Sequence, residues 1–214
     1  MGESKDGTRS ARRDATRERV LDAAREVFAD RGVIGATVEE ICERAGFTRG
    51  AFYSNFADKS DVLEALVERE HARVISLLDA NLALSDDPDP DPAADRGAFL
   101  SAVVERILAS VPGDRQLVLV QTELEIHAIR EPAGSAPFRE ADARFRARIE
   151  EFVERGIARQ GRELVVEPGD VADAAIAIVE RSVRRALLTG GGDPDAMARA
   201  ILPGLLLAVS RPIA

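Results

Sequence analysis

Apolar side chains recur every three or four positions along most of this chain, the spacing that gives a helix one buried face. Between Arg12 and Arg31 the apolar positions are Val20, Ala23, Ala24, Val27 and Phe28, and Gly32 stops the pattern. Thr37 followed by Glu40 forms a capping box that opens a short helix with Val38, Ile41, Cys42 and Ala45 inside; Gly46 ends it. Thr48 caps a third helix carrying Ala51, Phe52 and Phe56. Asp58 caps a long fourth one through Leu63, Leu66, Val67, Val74, Leu77 and Leu78. Further helices are predicted near 96–110, 114–131, 136–160, 170–189 and 194–210. They are separated by Pro112-Gly113, Pro132-Ala133-Gly134, Gly161 to Gly169 and Gly190-Gly191-Gly192. Asp193-Pro194 places a cap before a first-turn proline, and Pro203-Gly204 is expected to kink the last helix. Residues 1–10 read as a mobile polar tail, and the acidic, proline-rich 85–95 as a connecting loop. Nine helices without a sheet define an all-α fold.

Two short helices around Gly46-Phe47-Thr48 make a helix-turn-helix pattern. Ile41, Ala45, Phe47, Phe52 and Phe56 hold the pair together. Thr48, Arg49, Gly50, Ala51, Tyr53, Ser54 and Asn55 remain on the outer side of the second helix. The charge balance sharpens this. The chain carries 29 basic and 38 acidic residues, a net charge of −9, which argues against a general polyanion binder. Residues 1–60 hold 11 of each sign and are neutral, so all the excess acid follows them; no acidic residue occurs from Arg44 to Ala57. A surface that meets phosphates should lack carboxylates. The single cysteine, Cys42, excludes a disulfide framework and reads as a small core residue. No run approaches the roughly 18–20 apolar residues of a membrane span, and Met1–Asp14 shows no apolar leader. The expected compartment is the cytoplasm.

The stretch GFTRGAFYSNFADKSDVL, Gly46 to Leu63, resembles the signature of the TetR family of transcriptional regulators. It matches at Gly46, Phe47, Thr48, Gly50, Phe52, Tyr53, Phe56, Lys59 and Leu63, and the upstream Ala24, Phe28, Gly32, Thr37 and Ile41 also fit. Ser54 and Asn55 depart from the large aromatic and the His that many members carry after the Tyr. The resemblance implies an N-terminal DNA-binding domain, residues 1–58, and a ligand-binding and dimerisation domain, residues 59–214. It also implies a homodimer on a palindromic operator of double-stranded DNA, with half-sites ~34 Å apart, most often a repressor released by a small-molecule effector. In such a groove Arg49 reaches guanine or a phosphate, Gly50 and Ala51 allow close approach, and Tyr53 meets a phosphate. Lys59 and Thr37 meet phosphates at helix N-termini. Arg9, Arg12 and Arg13 add backbone or minor-groove contacts. Tyr53 as a core-edge aromatic, Lys59 as a solvated helix start, and Arg12 and Arg13 as solvated tail residues are the plainer alternatives.

The stripes Val171, Ala174, Ala175, Ile178, Val179, Ser182, Val183, Ala186, Leu187 and Ala200, Ile201, Leu205, Leu206, Val209 suit a four-helix dimer interface, or an ordinary monomer core. Gln121 in an apolar stripe, His127 beside it, and Phe99 and Phe145 are the candidate ligand residues; satisfied polar groups and core aromatics are the alternatives. The absence of Trp and Tyr after residue 60 points to an apolar or weakly polar effector. No nucleophile-base, metal or phosphate-loop motif appears, so neither catalysis, a metal nor a cofactor is expected. The competing reading is a helical dimer that acts through protein partners without sequence-specific DNA binding.

Overall fold

The computed structural model describes residues 3–83, 96–110, 115–130 and 135–213. The expected loop at 85–95 and the breaks at 112–113 and 132–134 lie outside them. The helices are α1 (Glu3–Gly35), α2 (Val38–Ala45), α3 (Arg49–Tyr53), α4 (Lys59–Ala83) and α5 (Arg96–Ser110), followed by α6 (Arg115–Arg130), α7 (Ala136–Ala158), α8 (Pro168–Leu188) and α9 (Ala196–Ala208). All nine predicted helices are present among the described residues, so the chain is all-α with almost no strand. The α1 helix reaches back to Glu3, through residues expected to form a tail. That segment contains no proline to stop a helix. Gly32 acts as expected, with φ 74° and ψ 159° breaking the helical path before a last turn at 33–35.

Two strands correct the expectation of no sheet. β1 (Arg162–Leu164) pairs antiparallel with β2 (Ser210–Pro212), with Arg162 opposite Pro212 and Leu164 opposite Ser210. Arg162, the first residue of β1, is buried and donates to the Ser210 hydroxyl at 2.8 Å and to the carbonyls of Ser210 and Leu207 at 2.5 and 3.2 Å. A guanidinium without a carboxylate is thus satisfied by three oxygens at the end of α9. The last helix is not broken at Pro203-Gly204, where a kink is expected: α9 continues through Pro203. The α9 start also differs. Asp193 accepts the Asp195 N–H at 2.9 Å, and the buried Ser182 hydroxyl of α8 accepts the Met197 and Ala198 N–H groups. A side chain from the neighbouring helix therefore does the capping.

The chain divides into two compact units: Met1–Glu70 with Gln116–Arg139, and His71–Arg115 with Glu140–Ala214. In the first, Val20, Leu21, Ala24, Val27 and Phe28 of α1 pack with Ile41, Cys42 and Ala45 of α2. Phe52, Phe56, Val62 and Leu66 join them, as do Val120 and Leu124 of α6. Phe28, Phe52 and Phe56 are each at most 2% exposed, which at ~1.5–3 kcal/mol per buried side chain makes them the anchors of a small core. Burial, then the nearby Glu39 charge, pushes the Cys42 thiol above its usual range, as suits an unreactive core residue. In the second unit Ile149, Val153 and Ile157 of α7 pack with Val171 and Ala172 of α8, while Val104 and Leu108 of α5 meet Ala198 and Leu202 of α9.

Candidate nucleic-acid interface

The turn between α2 and α3 is fixed at both ends by capping. Thr37 Oγ1 accepts the Glu40 N–H at 3.2 Å, and Glu40 Oε2 accepts from the Thr37 N–H and hydroxyl at 3.0 and 2.9 Å. Gly46 closes α2 with φ 70°, the left-handed region that a side chain disfavours. Two residues on, Thr48 Oγ1 accepts the Ala51 N–H at 3.2 Å and starts α3. Phe52 turns inward, fully buried, with Phe56 at 5.8 Å and the Tyr53 ring edge-on at 5.3 Å. Burying Phe52 forces the other side of this helix outward. Thr48, Arg49, Gly50, Tyr53 and Ser54 are exposed, and Ala51 and Asn55 are half-buried.

Arg49 is the cation of that face. It pairs with Glu39 Oε1 at 2.6 Å and lies 5.9 Å from the centre of the Tyr53 ring. The Tyr53 hydroxyl first, then the Glu39 charge, raises its already high pKa, so the charge is permanent. Ser54 Oγ and Asn55 Nδ2 both donate to the Ala51 carbonyl at 2.8 Å. Their donors are therefore turned partly onto their own helix.

Arginines of α1 complete the arrangement. Arg13 donates to the Ser54 carbonyl at 3.4 Å, and Arg17 to the Asn55 carbonyl at 3.3 Å while covering the Phe56 ring. Arg19 donates to the Ala45 carbonyl at 2.9 Å and covers Phe47. Each guanidinium sits where a helix leaves unpaired carbonyls and partial negative charge. Arg13 was expected on DNA from a tail; here it is helical and holds the end of α3. The side chains of Arg9 and Arg12 lie outside the described residues. Arg17 and Arg19 were missed by the sequence reading. The 13/17 spacing, one helical turn on a polar face, is the signal that could have found the first of them.

Lys59, expected at a phosphate, has its ammonium turned to the end of α1. Nζ donates to the carbonyls of Val33, Ile34 and Ala36 at 2.6, 3.3 and 2.9 Å. The same short segment is gripped from α6, where Glu123 Oε2 accepts the Val33 N–H. A Cβ added at Gly32 would lie 2.7 Å from Glu123 Oε1. The start of α4 is capped by Asp58 Oδ1, which accepts from Ser60 and Asp61 N–H at 2.8 and 3.0 Å.

The four candidate ligand residues are not collected at one described cavity. Gln121 and His127 lie on α6 in the first unit, half-buried and exposed respectively. Phe145 lies in the second, its ring stacked on His71 at 4.2 Å. Phe99 is on α5, but its side chain lies outside the described residues. The second unit contains a cleft of about 70 Å³ whose walls come from α5, α7 and α9 and include Val103, Ile107, Phe152, Gly156 and Leu206. No helix among the described residues is long and apolar enough to cross a membrane.

Comparison with known proteins bears on residues 20–66, which match the family model described as bacterial regulatory proteins, tetR family. Over 63 residues the chain is 48% identical to the HTH-type transcriptional regulator SrpR of Pseudomonas putida, 29% of this chain and 30% of that protein. It spans between about a quarter and two fifths of the length of the first curated relatives it matches. A longer match, 27% identical over 87% of this chain and 89% of the relative, is to the uncharacterized HTH-type transcriptional regulator YdgC of Bacillus subtilis. The fold resembles the crystal structure of a TetR-family transcriptional regulator from Mesorhizobium loti. The TM-score is 0.69 at 20% identity, covering 93% of this chain and 98% of that one.

Proposed function

We propose that this chain, whose residues 20–66 match the family model of the tetR bacterial regulatory proteins, belongs to that family and is a cytoplasmic, homodimeric repressor of transcription that a small-molecule effector releases from a palindromic operator. In this reading residues 1–58 bind DNA and residues 59–214 bind the effector and dimerise. The observation that carries it is the outer face of α3. Thr48, Arg49, Gly50 and Tyr53 are exposed together, and α3 itself bears no carboxylate in a chain of net charge −9. A B-form major groove, ~12 Å wide, admits one such helix. Arg49 supplies a fork of donors for guanine or phosphate, Tyr53 a phenol for phosphate, and the small Gly50 and Ala51 permit close approach. Thr37, Ser54 and Asn55 flank these groups; Lys59 serves by fixing the α1 end on which the helix-turn-helix begins.

Effector action requires only that the ligand bind better to a form whose two recognition helices do not match the operator half-sites. An apolar or weakly polar ligand suits the chain, whose residues beyond 60 contain neither Trp nor Tyr. The chemistry of the site is binding, with no catalytic step and no cofactor. Selection of genomic fragments by the purified protein, with an Arg49→Ala/Tyr53→Ala variant as control, tests the assignment. Enrichment of a palindrome by the wild type and its loss in the variant are expected. No enrichment at low salt, where phosphate contacts are strongest, refutes DNA binding and favours a helical dimer acting through protein partners.

A further inference from the structure

We propose that Glu123 of α6 is a positioning residue for DNA recognition: its carboxylate fixes the main chain between α1 and α2, and with it the angle at which the helix-turn-helix meets the groove. The proposal rests on the regulator reading for its meaning on DNA. The break at Gly32 takes the Val33 N–H out of the α1 ladder, because a bond from residue 33 back to residue 29 needs helical dihedrals at 32. A half-buried N–H without an acceptor is costly. Glu123 Oε2, 90 positions along the chain, accepts it. Lys59 Nζ holds the carbonyl of the same residue and those of Ile34 and Ala36. The link from the break to the Thr37 cap is thus gripped from two helices, by its N–H on one side and its carbonyls on the other.

The carboxylate and the break fit each other. A Cβ at Gly32 would lie 2.7 and 3.1 Å from the two Glu123 oxygens, so the glycine serves both its own φ of 74° and the approach of the acid. Val120 and Leu124, to either side of Glu123 along α6, are 2% and 5% exposed in the core shared with α1, α2 and α4. This docking holds the α6 backbone in place, and the carboxylate acts from a rigid element. Beyond the link, Thr37 caps α2, and α2 leads through the Gly46 turn to Arg49 and Tyr53 on α3. A change of tilt at the link is carried to those groups. Phosphate contacts adapt to such a shift, whereas a bidentate contact to a base edge does not. Charge and position predict opposite signs here. Removing a carboxylate strengthens binding to a polyanion on electrostatic grounds alone, so a loss of affinity reports position.

The test uses the full chain and two fluorescein-labelled duplexes read by anisotropy: one bears the palindrome enriched from genomic fragments, the other its scrambled counterpart. Glu123→Ala is expected to bind the palindrome at least about tenfold more weakly, the scale of one misplaced base contact. The scrambled duplex should bind as to wild type or slightly more tightly, with an unchanged salt slope. Glu123→Gln keeps an acceptor oxygen without the charge and should bind the palindrome at least as tightly as wild type. Amide hydrogen exchange provides a readout without DNA: Val33 should be protected in wild type and Glu123→Gln, and exchange at least about tenfold faster in Glu123→Ala. Undiminished affinity for the palindrome in folded Glu123→Ala, an equal loss on both duplexes, Glu123→Gln at least tenfold weaker than wild type, or an unprotected Val33 in wild type overturns the proposal. Should Glu123→Ala not fold, Glu123→Gln and the wild-type exchange decide. A wild type that enriches no fragment refutes the regulator reading and this proposal together; a wild type that binds its palindrome no better than Glu123→Ala does refutes the positioning role alone.

Discussion

Replacing Lys59 by Met distinguishes a structural ammonium from a phosphate-binding one. The wild-type Nζ makes two hydrogen bonds of ordinary length, to Val33 and Ala36, and one longer one to Ile34, whose carbonyl lies at the exposed end of α1. At ~1.5–3 kcal/mol for a bond from a charged donor, the two shorter bonds amount to about 3–6 kcal/mol. Releasing the lysine side chain returns up to about 2 kcal/mol of rotamer entropy, and water reaching the carbonyl of half-buried Val33 recovers more. The net expectation is a loss of about 2 kcal/mol. With a urea slope of ~2 kcal/mol per molar for a small unit, the midpoint followed by circular dichroism should fall by about 1 M. The slope of operator affinity against salt should stay as in the wild type. An unchanged urea midpoint, combined with a salt slope reduced by about 0.9, the signature of one lost phosphate contact, would refute the capping role.

Gly32→Ala should destabilise the first unit by about 1–2 kcal/mol, because φ is +74° and the new Cβ meets the Glu123 carboxylate; Gly156→Ala, in open space, should instead stabilise by about 0.5–1 kcal/mol. Urea denaturation of the pair checks the opposite signs. Phe52→Ala, at a residue with no exposure, should cost about 3–5 kcal/mol and remove the cooperative transition of the first unit. The Glu40 carboxyl is held below its usual 4.5 by hydrogen bonds from the Thr37 hydroxyl and N–H. Its contribution is therefore present above pH 4.5 and lost as pH falls through the lowered folded value. The thermal-midpoint gap between wild type and Glu40→Ala should accordingly close in acid; a gap that widens there would contradict the capping geometry.

The helices were legible because each signal is local. An apolar period marks a buried face, and Thr37, Thr48 and Asp58 cap where their side chains reach only a few residues. The ribbon was not legible, since β1 and β2 are three residues each, too short for alternation to stand out, and they meet across 46 positions of sequence. Pro203 reads as a breaker, yet the helix continues there because tertiary packing overrides a local preference. The roles of Arg13, Arg17, Arg19 and Lys59 depend on distant carbonyls at the ends of other helices. A sequence displays the charge and not its acceptor. The outer face of α3 was legible for a related reason: once Phe52 must be buried, the positions opposite it are determined. A helical stripe, by contrast, marks burial without identifying a cavity: Gln121 and His127 lie on α6, counted with the first unit, and Phe145 lies in the second.

Glu39 presents the sharpest electrostatic question at the candidate interface. It is an acid in the first turn of α2, where the helix dipole favours it, and its carboxylate occupies Arg49 at 2.6 Å. Binding to DNA must exchange that partner for a base edge or a phosphate. The pair is exposed on both sides, so water and salt already weaken it and the exchange is cheap. Glu39→Gln should therefore raise operator affinity several-fold by freeing Arg49 and removing a like charge from the phosphates. It should also steepen the salt dependence by up to about one unit. In Arg49→Ala the same substitution should have a smaller effect, and a double-mutant cycle read by fluorescence anisotropy measures the difference. Weaker binding by Glu39→Gln, with the thermal midpoint unchanged, would invert the assignment. It would make the carboxylate a reader of a cytosine amino group or the group that aims Arg49 at its base, rather than a competitor of DNA for the guanidinium.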